Sequence, residues 1–221
     1  MKSKGYKQFL KQNFKLLKAQ NTQKLIVDLR GNGGGKDRWR AWLCRYLINQ
    51  DFHYFEKMEA RTKKFDFKDY SSNKGLNMLG LLFRKDKKQK GLYQWTHHQP
   101  LKKQQSSKYA FDGKLILLID GGTFSTAADV ASVVSSNTNA RFIGEEAGGG
   151  YYGNTSAISY SMQLKNSKIW YYIPVVRYST ATSENRPIGH GITPDITLKN
   201  GYEDWTIGRD VVLELAKNEI Q

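Results

Sequence analysis

Residues 114–150 read KLILLI DGGTFS TAADVASVVSSN TNARFIG EEAGGG, and the order of these pieces decides the fold. Lys114 to Ile119 is a continuous apolar run with the length and branched side chains of a strand buried on both faces. Asp120-Gly121-Gly122 breaks it. From Thr126 the pattern changes to Ala127, Ala128, Val130, Ala131, Val133 and Val134, small residues that let a helix lie close to a sheet. Ser125 therefore stands between a buried strand and a helix N-terminus. Unpaired backbone N–H groups and the positive end of the helix dipole stabilise a developing oxyanion there, so the position suits a nucleophile. Serine is also a good N-cap, and the local pattern leaves both roles open.

A second strand-like run, Lys24 to Leu29 (KLIVDL), ends in Arg30-Gly31-Asn32-Gly33-Gly34-Gly35 before a helix-compatible segment from Arg38 to Ile48. Consecutive glycines leave backbone amides uncovered and permit positive φ, the requirement of an anion-binding nest. A nucleotide phosphate is a poor candidate for that anion. The loop lacks the Gly-Lys-Ser/Thr ending of a P-loop, and it is not Gly-x-Gly-x-x-Gly followed by a suitably placed acid.

The pair KLIVDLRGNGGG and LLIDGGTFSTAADVASVVSSNTNARFIGEEAGGG resembles the tail-specific, or C-terminal processing, serine peptidases, including their tricorn-core-like branch. The later stretch GHGITPDI, Gly189 to Ile196, resembles that family's Gly-x-x-Pro-Asp element, and the three motifs fall in the family order between about residues 24 and 198. The resemblance implies an α/β ClpP/crotonase-like superhelical fold with a mixed sheet and flanking helices. It implies peptide-bond hydrolysis by acyl transfer through Ser125. It also implies an oxyanion hole built from the backbone N–H of Thr126 and that of a glycine in the first loop, Gly34, and it calls for no cofactor and no metal.

The general base departs from the family pattern. In the Ser-Lys branch a lysine follows the nucleophile within a glycine-rich stretch; laid on Ile143 to Gly150, that slot holds Gly150. In the tricorn-like branch a histidine lies upstream of the first strand, but Met1 to Gln23 contains none. The glutamate that supports that histidine would fall near Ile188, and Glu184 is the nearest carboxylate. Among His53, His97, His98 and His190, only His190 sits inside a family motif. Glu145 and Glu146 face the glycine run, and one of them, Glu146 being carried as the candidate, could orient a base supplied from elsewhere. A serine hydroxyl attacks poorly until a positioned base takes its proton, assistance typically worth about 10²–10⁴ in rate. The chain is therefore expected to hydrolyse peptides very slowly unless His190 serves. A catalytically weak peptide-binding remnant of the same fold is the alternative reading. A crotonase-like acyl-CoA enzyme would also use two amides as an oxyanion hole, but would leave Ser125 without a role.

Composition sets the remaining bounds. The 221 residues, 39% hydrophobic and 13% aromatic, suffice for one peptidase-core domain over residues 1–221, and no apolar run reaches the length of a membrane span. The lone cysteine, Cys44, lies between Trp42 and Tyr46 and reads as a packed thiol. A formal charge of +15 attracts phosphates and other anions. No helix-turn-helix, zinc spacing or aromatic RNP pattern accompanies it, so specific nucleic-acid recognition is not expected. The charge suits an anionic membrane surface or an acidic substrate, and the expected partner is a peptide or unfolded protein. Met1 to Gln23 has no apolar segment of a signal peptide, while the resemblance suggests an extracytoplasmic, periplasmic or cell-envelope protein.

Elsewhere, Gly5 to Ala19 has Tyr6, Phe9, Leu10, Phe14 and Leu17 at helical spacing. Residues 52–110 read as a basic insertion or lid over the cleft, with a short aromatic strand at Phe52 to Phe55 and an apolar patch from Gly75 to Phe83. Ile158 to Leu164 and Lys168 to Val176 predict a hairpin turning at Lys165-Asn166-Ser167, with an edge where an extended peptide could add. Asp195 to Leu198 predicts a strand, and Trp205 to Ala216 a helix.

Overall fold

The computed structural model describes residues 3–35, 37–64, 83–85, 91–97, 99–156, 158–183 and 185–219. Helix α1 (Ser3–Ala19) leads into strand β1 (Lys24–Asp28) and helix α2 (Asp37–Leu47). Strands β2 (Phe55–Ala60), β3 (Phe83–Lys85), β4 (Tyr93–Trp95) and β5 (Lys114–Ile119) follow, then helix α3 (Thr126–Asn137) and strand β6 (Arg141–Gly144). The chain continues through β7 (Gly153–Asn154), β8 (Ser159–Gln163), β9 (Trp170–Pro174), β10 (Arg177–Thr180) and β11 (Ile196–Thr197) to helices α4 (Tyr202–Thr206) and α5 (Val211–Glu219).

A parallel sheet in the order β1-β5-β6-β11 forms the base of the molecule. Strand β5 lies in its interior, which is why KLILLI is apolar without alternation. Leu115, Leu117 and Ile119 face one side, where they pack with Leu10 and Phe14 of α1, Ala41 and Cys44 of α2 and Val130 and Val134 of α3. Ile116 and Leu118 face the other, where they meet Val212 and Ala216 of α5. Each such side chain contributes about 1.5–3 kcal/mol by leaving water. Cys44 is wholly buried, and that burial pushes its thiol well above the ordinary range, so it is the packed residue expected from the sequence. The register pairs Lys24 with Lys114 and Asp28 with Leu118. The loops after β1 and β5 therefore leave the sheet side by side.

A second, antiparallel sheet runs in the order β3-β4-β2-β10-β7. The described parts of the 52–110 stretch supply three of these strands, β2, β3 and β4, and bury Tyr54, Phe55, Met58 and Phe83 in the same core as β5. Residues 65–82, which include most of the Gly75-to-Phe83 patch, and residues 86–90 lie outside the described residues. The short strand expected from Phe52 is reduced to one bridge with Gln104, and the ladder begins only at Phe55. Among the described residues strands β8 and β9 pair only with each other, as the predicted hairpin, and leave Trp170, Tyr171 and Tyr172 exposed.

The expected C-terminal helix is two helices. Gly208 takes φ 68, and Asp210 then caps α5 by accepting the Leu213 amide at 3.0 Å. A glycine in the left-handed region followed by an aspartate ends one helix and starts the next.

Candidate active site

Three loops meet at the C-terminal ends of β1, β5 and β6. The turn Asp120 to Ser125 is fastened to the glycine loop by side chains and backbone together. The Asp120 carboxylate accepts the Gly31 amide at 2.9 Å, and the buried Thr123 hydroxyl donates to the Leu29 carbonyl at 2.9 Å. The Phe124 amide donates to the Asn32 carbonyl at 3.0 Å, and the Thr126 hydroxyl donates to the Gly35 carbonyl at 2.9 Å. From the third loop, the Gly149 amide reaches the Thr123 carbonyl at 3.2 Å. A Cβ on Gly149 would stand 2.4 Å from that of Ala128, so glycine is required for this approach.

Ser125 holds φ 52 and ψ −123, outside the regions that serine ordinarily adopts, and its side chain makes no cap hydrogen bond to α3. The N-cap alternative is therefore not realised. A non-glycine residue held in such a conformation costs on the order of 1–3 kcal/mol and persists only when its surroundings impose it. The turn is a sharp strand-to-helix elbow, and Ser125 lines the cleft beside it.

Next to this elbow, Gly34 takes φ 97, and a Cβ built on it would lie 2.8 Å from the Thr126 nitrogen. Thr126 opens α3, and its N–H donates to no group among the described residues. The Gly34 N–H donates to Asn32 Oδ1 at 3.0 Å, whereas the Gly35 N–H has no acceptor among the described residues. The glycine loop thus offers two neighbouring amides beside Thr126, one engaged and one open.

His190 and Glu146 are brought together. His190 Nδ1 lies 3.1 Å from Glu146 Oε1, and the same oxygen accepts the Gly191 amide at 2.9 Å. With Nδ1–H donating to Glu146, the other ring nitrogen keeps its lone pair. Backbone bonds from Tyr151 to the His190 carbonyl (3.0 Å) and from Ala147 to the Ile192 carbonyl (2.9 Å) hold the histidine segment along the glycine-rich loop. Ser125 and His190 line one cleft of about 430 Å³, together with Phe124, Tyr151, Arg177 and Ile188. A larger hollow of about 780 Å³ lies near the start of β5, lined by residues such as Asn49, Lys114, Ser135 and Asn137. It contains no histidine and no base paired with a nucleophile.

His53 and His97 are exposed and do not line this cleft. His98 and Glu184 lie outside the described residues. Gly150, in the slot of the absent lysine, forms part of the cleft wall.

Two ion pairs that the sequence reading passed over brace the site. Arg40 of α2 and Asp129 of α3 form a pair with side chains 3% and 1% exposed, and Asn154 Nδ2 donates to Asp129 Oδ1 at 3.2 Å. A lone carboxylate within the small-residue stretch Thr126 to Val134 was the available signal. Arg30, in the glycine loop, binds Asp28 and also Asp210 at 2.7–2.8 Å. Its guanidinium holds the Asp210 carboxyl down at about 2, so the anion that caps α5 persists in acid.

The family model for peptidase family S41 matches residues 1–198. Solved structures align over most of the chain. A Parabacteroides merdae protein is 20% identical, with 91% of this chain and 53% of that one covered and a TM-score of 0.55. The photosystem II D1 C-terminal processing protease is 20% identical, over 88% of this chain and 39% of that one, at a TM-score of 0.51. A lipoprotein from Streptococcus agalactiae is 13% identical, over 100% and 62%, at a TM-score of 0.51. The chain thus spans between 39% and 62% of the length of these relatives. The likeness establishes the fold, a mixed α/β architecture with a parallel sheet, antiparallel sheets and flanking helices, in keeping with the α/β expectation from the motifs. No curated protein sequence matches the chain.

Proposed function

Because the chain belongs to peptidase family S41, we propose that it cleaves peptide bonds by acyl transfer through Ser125, with His190 as general base and Glu146 as the group that orients it. The observation that carries this reading is the strained, uncapped Ser125 sharing one cleft with a histidine already hydrogen-bonded to a carboxylate. A base oriented by a third group next to a nucleophile is the arrangement that activates serine.

In the proposed reaction the free nitrogen of His190 takes the Ser125 Oγ proton as Oγ bonds to the scissile carbonyl carbon. Negative charge moves to the carbonyl oxygen, which the Thr126 amide and the Gly34 or Gly35 amide receive. The imidazolium, held by Glu146, gives its proton to the leaving amine as the C–N bond breaks. Water then attacks the acyl-enzyme by the same route and releases Ser125. Covalent capture by a fluorophosphonate, with the adduct located by mass spectrometry, tests the reading; a competent probe that leaves Ser125 unmodified rejects it.

His190→Ala is expected to lower kcat/KM by about 10²–10⁴, the usual value of general-base assistance. Unchanged turnover in this variant would move the base to a carboxylate such as Glu145, or to a second subunit. Wild-type chain that binds peptide without cleaving it would establish the peptide-binding alternative instead.

Gly34→Val places a branched side chain 2.8 Å from the Thr126 nitrogen at a positive φ. The rate of fluorophosphonate labelling should fall by about 10²–10³, the cost of losing one oxyanion donor. A normal rate would show that substrate oxygen does not approach this side of the turn.

The proposed substrate is a peptide or unfolded protein, and the proposed setting is extracytoplasmic, where a lipoprotein with this fold would also reside. Contact with an anionic membrane surface is part of the same reading. Its support is the charge of +15, the exposed Lys7, Lys11 and Lys15 of α1, and the exposed aromatic residues of the β8–β9 hairpin.

A further inference from the structure

Arg177 opens β10 with an exposed side chain on the wall of the Ser125 cleft. Among the described residues one other formally charged residue lines that cleft, Asp129, and its carboxylate is engaged by Arg40 and Asn154. The Arg177 side chain makes no hydrogen bond or ion pair among the described residues, its backbone alone being held in the ladder with β2. Its cross-strand neighbour Glu59 is buried, and Glu59 Oε1 makes no hydrogen bond there either, so this carboxylate does not hold the guanidinium. The cleft therefore presents one unneutralised, permanently charged fork of donors beside a nucleophile, at the positive end of α3.

We infer that Arg177 is a specificity residue that binds a carboxylate of the peptide close to the scissile bond. The inference rests on the Ser125 cleft being the peptide site. A guanidinium matches a carboxylate with two parallel N–H···O bonds, and a partly enclosed cleft makes them stronger than on open surface. The exposed Phe124 and Ile188 at the cleft edge give the neighbouring peptide residues apolar contact. The carboxylate has two sources, an aspartate or glutamate side chain or the end of the peptide chain.

The test uses binding to the Ser125→Ala chain, so that it does not depend on turnover. Three N-terminally fluorescein-labelled peptides of one length and apolar background are compared by anisotropy: one with an internal Asp and an amidated terminus, one with Asn and an amidated terminus, and one with Asn and a free terminus. The peptide that carries the correctly placed carboxylate is expected to bind about ten-fold more tightly than the neutral one, the value of a charge-assisted hydrogen bond. Whichever charged peptide gains identifies the source. Arg177→Gln should remove the preference while leaving the neutral peptide within about two-fold, and Arg177→Lys should keep part of it, since a lysine offers charge without the fork. Equal binding of all three peptides, absence of binding, or a preference that survives Arg177→Gln would overturn the inference; the last outcome would trace the preference to the general surface charge. Failure of the serine reading shows separately, as absence of fluorophosphonate capture with the Arg177-dependent preference intact.

Discussion

Ser125→Ala is expected to abolish fluorophosphonate capture and to lower peptide hydrolysis by about 10⁴-fold or more, the scale seen when the nucleophile of a serine hydrolase is removed. The same change should move the melting temperature by no more than a few degrees. A serine that capped α3 would behave differently, since losing an N-cap costs about 1 kcal/mol. Here the side chain makes no cap bond. Ser125→Gly separates the roles further. At φ 52 and ψ −123 a glycine relieves the strain that serine bears. The glycine variant should therefore be inactive yet at least as stable as wild type by thermal denaturation. Hydrolysis that persists in either variant would remove Ser125 from the mechanism, and a clear loss of stability in the glycine variant would remove the argument from strain.

The parts of this site that were legible in the sequence are those fixed by local chemistry. KLILLI read as a buried strand and KLIVDL as a second strand, which the fold places at the half-exposed edge of the sheet, and the glycines after each read as tight loops, so the elbow and the nest followed from local sequence. The parts that were not legible depend on separations along the chain that no local pattern encodes. His190 and Glu146 stand 44 residues apart and meet because Gly191 lets the two segments touch: a Cβ there would lie 2.0 Å from the Ala147 carbonyl oxygen. The same distance problem hid Arg40 and Asp129, which are 89 residues apart. The C-terminal helix was misread for a different reason. Gly208 and Asp210 carry a stop and a start signal within three residues, and the apolar periodicity on either side masked them.

The largest effect on stability is expected at the Arg40–Asp129 pair. Both side chains are almost wholly removed from water, and the guanidinium also lies over the rings of Tyr54 (4.9 Å) and Phe55 (4.4 Å). Such a pair offsets its own desolvation only while both charges are present. Removing one takes from the other the counter-charge that this buried pair supplies, at a cost of about 3–5 kcal/mol. Asp129→Leu alone should therefore lower the melting temperature by roughly 10 °C in a domain of this size. Arg40→Met alone should do the same. The double variant should recover most of the loss, because two apolar residues of similar volume need no charge partner. The effect should also reach the cleft. The Asp129 amide donates to the Ser125 carbonyl at 3.0 Å, and its carboxylate holds Asn154 on the cleft wall. The single variants are then expected to lose fluorophosphonate reactivity below their melting point. A double-mutant cycle by thermal and urea denaturation measures the coupling directly, and a coupling below about 1 kcal/mol would show that this pair behaves as an exposed ion pair does and does not brace the elbow.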